Sequence, residues 1–198
     1  MIINGFSLSA VPAGIKYQDR LDLGLIYSDS PAVTAGVFTT SLIKAAPVVL
    51  DMERLKLGRA QAILVNSGCA NACTGKEGMQ AALETSRMAA EQLGIPEDMV
   101  QVSSTGVIGA PLNVKAFSDH IKTLVDGLRP DKFEDVAQAI MTTDTTSKTV
   151  YRTTQIGGRE VKFMGMAKGS GMIMPNMATM LCFVLTDARI SFIELNET

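Results

Sequence analysis

The richest chemistry in this chain lies in one stretch, Lys168-Gly169-Ser170-Gly171-Met172-Ile173-Met174-Pro175-Asn176-Met177-Ala178-Thr179-Met180-Leu181. A glycine-rich, proline-interrupted loop ends in a small residue and a threonine, and the apolar run Met180-Leu181-Cys182-Phe183-Val184-Leu185 follows. This layout suits a chain that cuts itself between Ala178 and Thr179. A threonine hydroxyl is a weak nucleophile without a base beside it, and a freed α-amino group on the same residue is such a base. The chemistry to expect is acyl transfer through Thr179. The same composition also suits a plain connection into a strand, since Gly, Ser, Pro and Asn are the common turn formers.

Two further segments offer partners for Thr179. At Ser104-Thr105-Gly106 a strand breaks into a turn whose N–H groups and hydroxyl can face outward, with Gly106 removing a side chain that would block a ligand. Thr105 and Gly106 can thus hold the negative oxygen of a tetrahedral intermediate, although a Thr-Gly turn after a strand is also an ordinary loop. Lys168, in the loop of the cleavage site, can bind a carboxylate or polarise an acyl oxygen, or be a solvated loop lysine. Thr142, in the polar run Thr142-Thr143-Asp144-Thr145-Thr146-Ser147-Lys148-Thr149, can hydrogen-bond a substrate or cap the preceding helix. His120, beside Ser118 and Asp119, reads as a surface residue, and Met172, Met174, Met177 and Met180 read as apolar filler.

These residues need elements to hold them. Segments 14–17 and 23–27 read as strands flanking Asp19-Arg20, and 33–40 alternates branched and small residues in strand fashion. Ala62-Ile63-Leu64-Val65 reads as a strand covered on both faces and ends in the small-residue loop Asn66-Ser67-Gly68-Cys69-Ala70-Asn71-Ala72. A helix should follow, capped by Thr74 with Glu77 as reciprocal partner, burying Met79, Leu83, Ala90 and Leu93 and ended by Gly94 and Pro96. Residues 99–104 form the next strand, and 114–128 and 132–141 two more helices. Strands at 150–156 and 161–166 pair as a hairpin across Gly157-Gly158, and 178–186 is a strand beginning at Thr179. Strands and helices cluster rather than alternate strictly. That gives an α/β protein of the α+β type, a layered sandwich of helices over mixed or antiparallel sheets. Residues 1–198 form one incomplete domain, and 190–198 look like a chain cut in mid-element.

Composition narrows the function. The 198 residues are 46% hydrophobic and 19% charged, with a net charge of -2. No basic stripe or aromatic platform suggests nucleic acid, and no apolar segment is long enough to span a bilayer. Cys69, Cys73 and Cys182 read as reduced thiols in the cytoplasm. A metal site is not expected, with one histidine and no Cys-x-x-Cys.

The Lys168 to Leu181 segment resembles the self-cleavage segment of the bifunctional ornithine acetyltransferase/glutamate N-acetyltransferase (ArgJ) family. The likeness extends in order through Ala35-Gly36-Val37-Phe38-Thr39-Thr40, Lys44-Ala45-Ala46-Pro47-Val48, Val65-Asn66-Ser67-Gly68, Ala70-Asn71-Ala72-Cys73-Thr74-Gly75, Ser103-Ser104-Thr105-Gly106-Val107-Ile108-Gly109 and Met141-Thr142-Thr143-Asp144-Thr145. The resemblance implies an ArgJ/DmpA-like, N-terminal-nucleophile-like fold, with 1–178 as α chain and 179–198 as the start of a β chain. It implies Thr179 as nucleophile, Thr105 and Gly106 as oxyanion hole, and Thr142, Lys168 and Thr179 as substrate contacts. It further implies N-acetylornithine and glutamate as substrates, the remaining β chain as partner and an α2β2 heterotetramer. No cofactor or metal is implied, and acetyl-coenzyme A serves as a second donor in some members. Cys69 stands where the family pattern has asparagine, and the family's chain is about twice as long, so further β-chain substrate residues have no counterpart here. This fragment alone is expected to be inactive. Two other readings stay open: a self-processing amidase or aminopeptidase that passes its acyl group to water, and a non-catalytic assembly subunit.

Overall fold

The computed structural model describes residues 2–169 and 180–197. Two sheets organise it. The first comprises β1 (Phe6–Val11), β2 (Leu23–Val33), β3 (Arg59–Asn66) and β4 (Val100–Ser104) in that order, with β1–β2 and β2–β3 antiparallel and β3–β4 parallel. The second is an antiparallel meander of β5 (Lys148–Ile156), β6 (Arg159–Lys168) and β7 (Leu181–Thr186). The helices are α1 (Ala46–Arg54), α2 (Gly75–Leu93), α3 (Val114–Asp126), α4 (Phe133–Ala139) and the short α5 (Phe192–Asn196).

Two apolar clusters form on opposite faces of the first sheet. One joins Leu23, Leu25, Ala62, Leu64, Val100 and Val102 to the inner faces of α2 and α3. The other joins Leu8, Ile26 and Val65 to Phe133, Val136 and Ile140 of α4 and to Met164, Met166 and Leu185 of the second sheet. β3 thus sends Leu64 to one cluster and Val65 to the other, as its unbroken apolar run leads one to expect. The layered α+β arrangement is that read from the sequence.

Several elements differ from expectation. Residues 14–17 are not a strand, because the Asp22 carboxylate takes the N–H groups of Ala13 and Ile15, at 2.6 and 2.7 Å, and pins the segment as a loop. Residues 34–40 also lie outside any strand. β2 loses its partner after Val33 pairs with Arg59, and branched residues without a neighbouring strand have no ladder to join. Thr74 does not cap α2 through its side chain; its hydroxyl donates to Asn71 Oδ1 instead. The buried face of α2 is made of small residues, Gly78, Ala81, Ala82, Ser86, Ala89 and Ala90, while Leu83 is 41% exposed. β1 and α1 were not foreseen. Residues 192–196 form a turn of helix with a capping box between Ser191 and Glu194.

The hairpin of β5 and β6 agrees with its reading. Ile156 faces Arg159 across Gly157 and Gly158, both at positive φ (57° and 77°), which is the two-residue turn that matches strand twist.

Candidate active site

Adjacent strand ends bring the site together. The parallel strands β3 and β4 both stop at one end of the sheet, at Asn66 and Ser104, and their two turns are laced to each other. Thr105 N–H donates to the Asn66 carbonyl at 3.0 Å, Val107 N–H to the Gly68 carbonyl at 3.1 Å and Ala70 N–H to the Val107 carbonyl at 2.9 Å. The Asn66 side chain ties the same turns, accepting from Ser104 Oγ at 2.7 Å and donating to the Cys69 carbonyl at 3.0 Å. Asn66 is buried and uncharged, and satisfies its amide entirely within this crossing.

Gly106 sits at φ 135°, where only glycine is comfortable. A Cβ there would lie 2.3 Å from the Gly68 carbonyl carbon and 2.6 Å from the Cys69 nitrogen. The glycine is therefore required by the neighbouring backbone, and not only by room for a ligand. Cys69, the departure from the family pattern, is buried in this crossing and bridges to Thr105 and Val107.

Lys168 is neither a loop residue nor solvated. It is the last residue of β6, paired with Leu181 of β7, and is only 2% exposed. Its Nζ donates to Thr105 Oγ1 at 3.0 Å, and Thr105 is equally buried. Two of the expected site residues, 63 positions apart in sequence, are thus in direct contact. A hydrogen bond from a charged donor is worth about 1.5–3 kcal/mol. Burial pulls the Lys168 pKa below the usual lysine value, opposed by the negative charge of Asp144 and assisted by the positive charge of Lys148.

This geometry defines what the turn can donate. Thr105 N–H is used by Asn66, and the Thr105 hydroxyl oxygen accepts from Lys168, so the hydroxyl proton is the part of Thr105 left to point elsewhere. Gly106 N–H donates to no oxygen among the described residues. A hydroxyl and an adjacent amide, with a buried ammonium behind them, form an arrangement suited to a developing oxyanion.

Thr142 is half-buried in the bend after α4. Two residues on, Asp144 accepts from Gly169 N–H at 3.0 Å, which brings this bend to the end of β6 beside Lys168. Ala178 and Thr179 lie outside the described residues. His120 is on α3, its Nδ1 2.9 Å from the Ala116 carbonyl, and takes no part in the site. Sequence reasoning did not single out Asn66 or Asp144 for a role, although both lay inside quoted motifs. Among the described residues all three cysteines are free, and no helix is long and apolar enough to cross a membrane.

Known proteins match this chain in sequence and in overall fold. Residues 7–198 match the model of the ArgJ family. The arginine biosynthesis bifunctional protein ArgJ of Desulfotalea psychrophila is 65% identical over the whole of this chain and 50% of its own length, and that of Geobacter sulfurreducens is 54% identical over 96% of this chain and 48% of its own. The chain spans about half the length of the curated relatives it matches. Among solved structures, the Bacillus halodurans protein of the same name superposes with a TM-score of 0.80 at 38% identity, covering 90% of this chain and 92% of that one. The ornithine acetyltransferase of Mycobacterium tuberculosis, solved with ornithine, superposes at 0.77 with 32% identity, covering 90% and 94%.

Proposed function

Because this chain belongs to the ArgJ family, we propose that the complete gene product moves an acetyl group from N-acetylornithine to glutamate, as a step of arginine biosynthesis, through an acetyl ester on Thr179. The observation that carries this reading is the buried Lys168–Thr105 hydrogen bond beside the left-handed turn at Gly106. It supports this reading because the Lys168 ammonium and the Thr105 hydroxyl lie together at the turn that carries the Gly106 N–H.

The reaction begins with the Thr179 hydroxyl attacking the Ala178 carbonyl. The acyl group passes from nitrogen to oxygen, and water cleaves the resulting ester. This frees the Ala178 carboxylate and the Thr179 α-amine. That amine then takes the proton of the Thr179 hydroxyl as the oxygen attacks the acetyl carbonyl of N-acetylornithine. The Thr105 hydroxyl and Gly106 N–H hold the tetrahedral oxyanion, and the amine proton passes to the departing nitrogen of ornithine. Glutamate's amino group attacks the ester by the reverse sequence and leaves as N-acetylglutamate. Thr142 and Lys168 contact the amino-acid part of the substrate, with Lys168 supplying the charge for a carboxylate. The reaction needs no metal or resident cofactor, and acetyl-coenzyme A is a second donor to test. The α chain, the β chain and their α2β2 assembly act together in the cytoplasm, and residues 1–198 alone do not turn over.

Mass spectrometry of the complete gene product tests this. Wild type should appear as two chains divided between Ala178 and Thr179, with an added acetyl group after exposure to N-acetylornithine. Thr179→Ala should stay uncut and unacetylated. Transferase activity from a protein whose 178–179 bond is intact overturns the mechanism, and release of acetate without N-acetylglutamate overturns the choice of acceptor.

A further inference from the structure

Asp144 has no part in the chemistry above, yet its carboxylate is unusually engaged for a residue in a polar bend. Its side chain is 5% exposed. Oδ1 accepts from Lys148 Nζ and, at 3.0 Å, from the N–H of Gly169, the residue that follows Lys168. Oδ2 is buried and receives no hydrogen bond from the described residues. The carboxylate is close enough for its charge to act on Lys168. A buried anion without full compensation is costly, so its retention here calls for a local gain. Lys168 presents one, being itself a cation removed from water with a neutral hydroxyl as its partner at Thr105.

We propose that Asp144 is a positioning residue for Lys168: its carboxylate supplies the counter-charge that keeps the lysine an ammonium aimed at Thr105, and its bond to Gly169 N–H locks the end of β6 in the register that presents it. This rests on the acyl-transfer reading, in which Lys168 must be charged to hold the substrate carboxylate. Burial works to raise the pKa of Asp144, but the hydrogen bonds from Lys148 and Gly169 N–H and the charges of Lys148 and Lys168 outweigh it, so the carboxyl titrates below its usual range and is an anion at neutral pH.

Among the described residues the segment before β2 contributes Arg20, which donates to the Met141 carbonyl at 2.6 Å, and Lys16, whose side chain packs on Gly68. β5 contributes Lys148. α4 contributes Glu134, which is occupied by the Tyr151 hydroxyl and lies 3.5 Å from Ser147 Oγ. The turns at 66–69 and 104–106 bring no charge, and residues 170–179 contain no ionisable side chain. In the acyl-transfer reading the Thr179 α-amine must be neutral to act as a base and so governs the acid limb of activity. Lys168 must be protonated to bind substrate and so governs the alkaline limb.

The experiment is the pH profile of KM and kcat for N-acetylornithine in the complete, processed enzyme, comparing wild type, Asp144→Asn, Asp144→Glu and Lys148→Met. Asparagine keeps an acceptor for Gly169 but loses the charge, so the alkaline rise in KM should move down by about one pH unit or more, the shift an adjacent opposite charge produces. Glutamate should keep the limb near its wild-type position. Lys148→Met removes a like charge from Lys168 and should move the limb the other way. An alkaline limb that stays in place in both Asp144→Asn and Lys148→Met overturns the proposal, while a wild type that forms no acetyl-enzyme overturns the underlying reading instead.

Discussion

At the scale of single residues, Gly106 shows how a proposed oxyanion turn and a structural constraint fall on one residue. Its φ of 135° and the 2.3 Å approach of a would-be Cβ to the Gly68 carbonyl carbon leave no route for a side chain except displacement of the 66–69 turn. Gly106→Ala should therefore cost about 1–3 kcal/mol in backbone strain and lower the rate of acetyl-enzyme formation by about 100-fold or more, the usual loss for one oxyanion donor. Thermal unfolding and single-turnover kinetics check the two parts, and a variant that acylates at the wild-type rate refutes the role given to this turn. Residue types made Thr105, Gly106 and Lys168 candidates, each beside an ordinary loop reading, and the family resemblance is what singled them out. The burial of Lys168 was not legible. A lysine closing a strand reads as solvated, and only the contact with Thr105, 63 residues earlier, shows otherwise. Asp144 was hidden for the same reason, since its partners Lys148 and Gly169 are assembled by the second sheet.

At the scale of elements, α1 is fastened to the open edge of β4 by polar atoms rather than by a strand. Asp51 Oδ1 accepts from Val102 N–H at 2.9 Å, and Arg54 donates to the Val100 carbonyl at 2.6 Å while also reaching Ser86 and Glu97. The helix thus satisfies backbone groups that an edge strand would otherwise expose. Burial pushes Asp51 up to about 7, against the opposing effects of the Val102 hydrogen bond and of Arg54. The ordinary carboxyl of the unfolded chain titrates near ~4. Between those values the folded protein holds a proton that the unfolded chain releases. The stabilisation is thus complete below about pH 4 and is lost as pH rises through about 7. Asp51→Asn keeps the acceptor and escapes that loss, so its stability relative to wild type should grow by on the order of 2–4 kcal/mol across the interval. Thermal midpoints of both proteins at about pH 5 and about pH 8 check it, and a constant difference refutes it. The elements missed in the sequence share a cause with this clamp. In β1 the alternation of Ser7 and Ser9 with apolar residues suggests one wet face, yet Ser9 is buried, and in α1 the β-branched pair Val48-Val49 masks the helix start that Pro47 in the first turn favours. Strong local signals, such as the Gly157-Gly158 turn and the Gly94 helix end, needed no tertiary help and were legible.

At the scale of the whole molecule, the two-faced first sheet was legible from the apolar run of β3, whereas the course of residues 34–45 outside any strand was not. Val37, inside the strand expected over 33–40, is 85% exposed, and Leu42, just beyond it, is 99% exposed. The site likewise belongs to the whole, since Thr105 comes from the first sheet and Lys168 from the second. Lys168 and Leu181 face each other as the last rung of a ladder that begins at Phe163 and Thr186. The proposed scission between 178 and 179 would therefore separate two strands that the fold already pairs at Lys168 and Leu181, and the native state would have little to lose. The denatured state changes far more, because one polymer becomes two. Before the cut, β7 returns to β6 at an effective concentration of roughly millimolar, set by a short tether; after it, the strands must find each other by diffusion. Recovery from denaturant should be independent of dilution for Thr179→Ala and should fall steeply with dilution for the processed protein, as circular dichroism at a series of concentrations would show. Equal recovery at every dilution would refute this. Under the proposed cleavage, maturation would be a kinetic ratchet: a single-chain folding history that the finished molecule has no unimolecular means of repeating.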